Sequence, residues 1–102
     1  GGSERWEGHP GVVHFAGFRA GAVYECVVRV VNRGRTAGRL VVLPMANDAF
    51  SVHTAPRGAI APGLAQEVLL SFTPSALQYH YDVIRVRGEG GKEDELRIPV
   101  HA

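Results

Sequence analysis

The chain has 102 residues, is 45% hydrophobic, and carries 11 Lys and Arg against 10 Asp and Glu for a formal net charge of +1. That length suits one domain, because roughly 60–70% of the unfolded surface can be buried at this size and a second core has no room. The near-neutral charge excludes a global pull towards nucleic acid or anionic lipid, although it leaves a local patch open.

In chain order, Gly1-Gly2-Ser3 has the look of a cloning remnant, and residues 1–10 are read as remnant and linker ahead of a domain over 11–102. No basic-then-apolar leader opens the chain, and no apolar run approaches the roughly 18 residues of a membrane-spanning helix. A first strand is expected over Val12 to Phe18. Next, Tyr24, Cys26, Val28 and Val30 alternate with Glu25, Val27, Arg29 and Val31, the two-residue period of a strand with one buried face. Asn32-Arg33-Gly34 ends it as a turn. Further strands are expected over Arg39 to Met45 and Phe50 to Thr54. The segment Ala59 to Val68 lacks a helical stripe and contains Pro62-Gly63, so it is read as a loop. Val68 to Phe72 follows, with Val68, Leu70 and Phe72 on one face and Pro74 as a stop. The last two strands are Tyr79 to Arg87 and Glu95 to His101, joined by the polar hairpin loop Gly88 to Asp94. Placing Ile84 and Val86 inward puts Asp82 on the core side and Tyr81 outside; a bulge near Asp82 and Val83, or a tyrosine held at a sandwich corner, would accommodate that register. Seven short strands punctuated by Gly, Pro and Asn predict an all-β, immunoglobulin-like, seven-stranded antiparallel β-sandwich.

Candidate chemistry is sparse. The five histidines, His9, His14, His53, His80 and His101, form no close pair and fall on scattered strands, so no metal site is assigned. Cys26 is the single cysteine, which excludes an internal disulfide and favours a reducing, cytosolic compartment. Its place between Tyr24 and Val28 predicts a buried, unreactive thiol. Ser71 and Ser75 lack a nucleophile-elbow context, and Gly88 to Gly91 lacks the strand-to-helix setting of a phosphate loop. Glu93, Asp94 and Glu95 read as a solvated hairpin tip rather than a calcium site. No catalytic residue and no cofactor is assigned.

The order of Asn32 closing a valine-rich strand, Gly58-Ala-Ile60-Ala-Pro62-Gly63, Val68 to Phe72 with Pro74, a tyrosine-containing strand and Ile98-Pro-Val100 resembles the ASH domain of the MSP and PapD-like sandwiches. The resemblance covers Val12 to Ala102. It implies a non-enzymatic interaction or spacer module of a larger ciliary, axonemal or centrosomal protein, with tubulin or an axonemal protein as partner. MSP domains that bind acidic FFAT peptides use a lysine-rich surface, and here Lys92 is the only lysine, which speaks against that ligand. An MSP-type peptide-binding adaptor in membrane trafficking and a PapD-like chaperone domain are the alternatives.

Arginine placement carries the site expectation. With Leu40, Val42, Ile84, Val86, Leu96, Ile98 and Val100 inward, the residues Arg39, Val41, Leu43, Arg85, Arg87 and Arg97 face out. In an immunoglobulin-like topology these strands are neighbours on one sheet. The predicted result is an arginine-rimmed face with an apolar centre, suited to an acidic protein surface. Arg33 and Arg35 either extend that patch or solubilise the turn. A nucleic-acid binder would need aromatics among the arginines, and only Tyr79 or Tyr81 could serve.

Overall fold

A computed structural model describes residues 4–55 and 57–102. Gly1 to Ser3, assigned above to a remnant, lie outside the described residues. Eight strands are found among those described: β1 (Trp6–His9), β2 (Val13–His14), β3 (Tyr24–Asn32), β4 (Val41–Val42), β5 (Phe50–His53), β6 (Ala65–Phe72), β7 (Tyr81–Arg87) and β8 (Glu95–His101). They form two four-stranded sheets, ordered β1-β3-β6-β5 and β2-β8-β7-β4. All pairs are antiparallel except β2 with β8, which run parallel. This is a β-sandwich of immunoglobulin-like type, and the hairpin loop before β8 closes with a 3-10 turn over Gly91–Asp94.

The strand β1 corrects the assignment of residues 1–10 to a linker. Its two inward positions are Trp6, which is 1% exposed, and Gly8, where an added Cβ would lie 2.5 Å from Ile98 Cδ1. Glycine there removes the apolar alternation by which a strand is recognised, so only one aromatic signals burial. The neighbouring Arg5 holds the strand in place. Its guanidinium lies 5.2 Å from the Trp6 ring and donates to Thr36 O at 2.6 Å, in a slot where a Cβ on Gly38 would collide with it.

The core lies between the sheets and centres on Phe72, which is wholly buried. The rings of Phe15, Phe18, Phe50 and His80 surround it with centroids at 5.2, 5.0, 4.9 and 5.2 Å. The expected inward face of β6 is observed, with Val68, Leu70 and Phe72 fully buried; the strand starts earlier than expected, at Ala65. Burial of each such side chain stabilises the fold by about 1.5–3 kcal/mol. The first expected strand is reduced to Val13–His14, because Phe15 and Phe18 turn out of the ladder to reach Phe72.

Asn32 explains how the loops are fixed. It is wholly buried, yet its amide donates to Thr36 O at 2.9 Å and Ile60 O at 2.8 Å, while its side-chain oxygen accepts from Gly34 N at 2.8 Å. Its backbone binds Leu64 O and Gly63 N, so one residue ties the turn after β3 to the loop before β6. Gly63 adopts φ +83°, a conformation that disfavours any residue with a Cβ.

Neither device proposed for the Asp82 register is present. The β7–β8 ladder runs without a bulge from Tyr81↔His101 through Asp82↔Val100 to Arg87↔Glu95, and Tyr81 is 47% exposed. Asp82 is tolerated at the core edge because its carboxylate accepts from Asn47 N at 2.6 Å and its neighbour Val83 N at 2.7 Å.

Candidate protein-docking face

The outer face of the β2-β8-β7-β4 sheet brings the predicted strands together as adjacent neighbours. Its side chains stand in cross-strand rows. The first holds Val41, Arg87 and Glu95. In the second, Leu43 N donates to Arg85 O at 2.9 Å, and Arg85 pairs with Arg97 across β7 and β8. Val83 and Pro99 form the third, and Tyr81, His101 and His14 the fourth. Val41 is 62% exposed, and because β4 is the edge strand of this sheet it lies beside the arginines rather than at their centre.

Two features depart from the sequence reading. The expected strand Arg39 to Met45 shrinks to Val41–Val42, so Arg39 lies just before it, where its backbone N–H donates to Glu89 Oε1 at 3.0 Å. Arg33, left open above, pairs through Nε with Glu7 Oε2 at 2.6 Å beside β1, and its side chain lines one groove with Arg97. The second departure is Glu95, which is not part of a solvated tip. Its side chain is only 12% exposed and takes Arg87 Nε at 2.8 Å on one oxygen and Arg97 Nη1 at 3.3 Å on the other. The Arg87 hydrogen bond, with the charges of Arg87, Arg97 and Arg85, holds this carboxyl below the usual carboxylate range. Outward alternation on β8 was the available signal for Glu95, since the same pattern that points Arg97 outward points Glu95 with it.

Arg85 is placed differently. Its Nη2 donates to Pro44 O at 3.3 Å, and no carboxylate among the described residues lies within ion-pair distance. His80 and Ala102 exchange backbone bonds at 2.9 Å, so counting along the ladder makes Arg85↔Arg97 a pair without mutual backbone bonds. In such pairs side chains stand closest, and like charges directly opposite are destabilising.

The histidines are less scattered than the sequence implied. His14 and His101 stack at 5.1 Å and 16°, and Tyr79 Oη lies 2.7 Å from His101 Nδ1. No group of three or more metal-ligating side chains occurs among the described residues. Cys26 is only half-buried, packed against the core from its rim, because β1 stops opposite Arg29 and leaves that end of β3 as an edge. Among the described residues no helix is long and apolar enough to cross a membrane.

The two packed four-stranded sheets make an all-β sandwich whose fold is ASH/PapD-like, as a comparison with solved structures shows. The chain superposes with a TM-score of 0.71 on the ASH/PapD-like domain 7 of human CEP192, at 18% identity, over 99% of this chain and 85% of that one. A protein of unknown function from Porphyromonas gingivalis W83 matches with a TM-score of 0.75, at 20% identity, over 96% of this chain and 46% of its own. In sequence, the chain is 35% identical over 97 residues to a cilia- and flagella-associated protein 221 homolog of Chlamydomonas reinhardtii. That match covers 94% of this chain, which spans 15% of the relative's length. No family model matches the chain.

Proposed function

We propose that this domain is a non-enzymatic interaction or spacer module of a larger ciliary, axonemal or centrosomal protein, and that it docks an acidic protein surface on the outer face of the β2-β8-β7-β4 sheet. The carrying observation is the Arg85↔Arg97 pair beside exposed Val41, two cations opposed across a ladder next to an apolar edge. An incoming carboxylate relieves that repulsion, and apolar contact beside it supplies the rest of an interface. The ciliary setting rests on the sequence similarity to the algal flagellar protein, and the centrosomal one on the likeness in fold to the CEP192 domain. Tubulin's acidic tails and axonemal proteins are partners of suitable charge.

The test is binding of an acidic tubulin-tail peptide across a salt series. Docking through this face is weakened by salt, which screens exposed charges over about 8–10 Å. Reversing Arg39 and Arg85 to Glu abolishes it, since neither side chain pairs with Glu95. Reversing Arg19 and Arg57, which lie in loops, leaves it intact. Equal loss in both double variants marks nonspecific charge attraction. No loss in either assigns the domain to the spacer role.

A further inference from the structure

Glu95 is acidic on a face that is proposed to receive acid, and its geometry gives that oddity a role. One carboxylate oxygen holds Arg87 through Nε at 2.8 Å, where the arginine side chain is 32% exposed. The other holds Arg97 through Nη1 at 3.3 Å, and that side chain is 56% exposed. The first contact is short and sheltered; the second is longer and open to water. Across the ladder from Arg97 stands Arg85, whose guanidinium touches only a backbone oxygen, Pro44 O, in the hydrogen bonds described.

We propose that Glu95 is a built-in competitor for the acidic partner, resting on the docking reading above: it keeps Arg87 as a fixed strut, lends its second oxygen to Arg97, and leaves Arg85 as the guanidinium that first receives the partner's carboxylate. Arg97 then exchanges Glu95 for the incoming acid, so that one partner carboxylate is shared by the Arg85–Arg97 pair. The competitor sets a threshold. A weakly acidic surface does not displace Glu95 from Arg97, whereas a cluster of carboxylates does, which gives selectivity through an internal opposing charge. The occupant is therefore a polypeptide segment with closely spaced carboxylates, chosen by charge complementarity to the paired arginines.

Titration with an acetylated, amidated hexaglutamate peptide tests this on the folded domain. Glu95→Gln tightens binding on the order of two- to five-fold, the range expected for losing a single contact such as that with Arg97, whose arginine side is open to water. Glu67→Gln makes the same change in net charge on an exposed position of the opposite sheet and leaves affinity unchanged. Arg85→Gln removes binding in both the native and the Glu95→Gln backgrounds. Equal tightening by Glu95→Gln and Glu67→Gln would reduce the effect to bulk charge and overturn the competitor role. Unchanged or weaker binding by Glu95→Gln overturns it as well. Failure of every protein, native included, to bind the peptide would instead remove the docking reading itself. A second measurement needs no variant: the arginine Nε–Hε signals of the native domain are followed during the titration. Arg85 and Arg97 shift while Arg87 stays; movement of Arg87 with Arg97 would show that Glu95 is displaced as a whole and that the strut does not exist.

Discussion

Phe72 and Asn32 show two ways in which a single side chain organises this sandwich. Phe72 acts by area and shape, as the ring on which Phe15, Phe18, Phe50 and His80 converge. Phe72→Ala is expected to cost about 3–5 kcal/mol in chemical denaturation, a large share of the stability of a small domain. Glu67, outward on the same strand, should cost far less when changed to Ala; equal losses would mean that the face of β6 is inverted. Asn32 acts by hydrogen bonding, because it satisfies two carbonyls and one N–H from a wholly buried position. Asn32→Ala leaves those groups without their partner, which costs about 1–3 kcal/mol where a buried group stays unsatisfied. Amide exchange should accelerate at Gly34 first, since its N–H loses its acceptor. Unchanged protection there would dismiss Asn32 as the tie between the loops.

At the level of elements, β1 and the uncovered end of β3 belong together. β1 pairs with β3 only from Arg29 to Asn32, so Tyr24 to Val28 is an edge on that side and Cys26 sits at the rim of the core. Native-state labelling of Cys26 by a thiol reagent should therefore proceed measurably, and faster still on unfolding. A thiol inert until global unfolding would show full burial and return the sequence expectation. Gly8 offers a sharper test of β1 itself, because a side chain there must displace Ile98. Gly8→Val is expected to destabilise by about 1–3 kcal/mol, the usual cost of overpacking. A neutral result in thermal melts would detach β1 from the core.

Over the whole molecule, the charged face links stability to pH. Glu95 has its folded-state pKa lowered, chiefly by the hydrogen bond from Arg87, so its contribution is present above the ordinary carboxylate range and is lost as pH falls through the lowered value. The Glu7 carboxyl is lowered in the same sense by Arg33. The melting temperature of the native domain should thus exceed that of Glu95→Gln at neutral pH, and the gap should close on acidification. A gap that persists in acid would assign the difference to shape rather than to charge.

Strand order along the chain was legible because alternation is a local property: Tyr24 to Val30, Val68 to Phe72 and Leu96 to Val100 each write their inward faces in a period of two. The adjacency of the three arginine-bearing strands followed from the immunoglobulin-like topology, and the sheet order bears it out. Where the inward residue is glycine, as at Gly8, no period exists to be read, and at Val41–Val42 the alternation was legible but the length of the ladder was not. Pairing across the sheet is a different kind of information. That Glu95 falls between Arg87 and Arg97, that Arg85 faces Arg97, and that His14 stacks on His101 depend on register between segments distant in the chain. The sequence by itself determined which residues point outward, because sterics and burial act on each strand alone. Only the tertiary structure decided which outward charges meet, because charge pairing is set by distances of a few ångströms that the ladder registers impose.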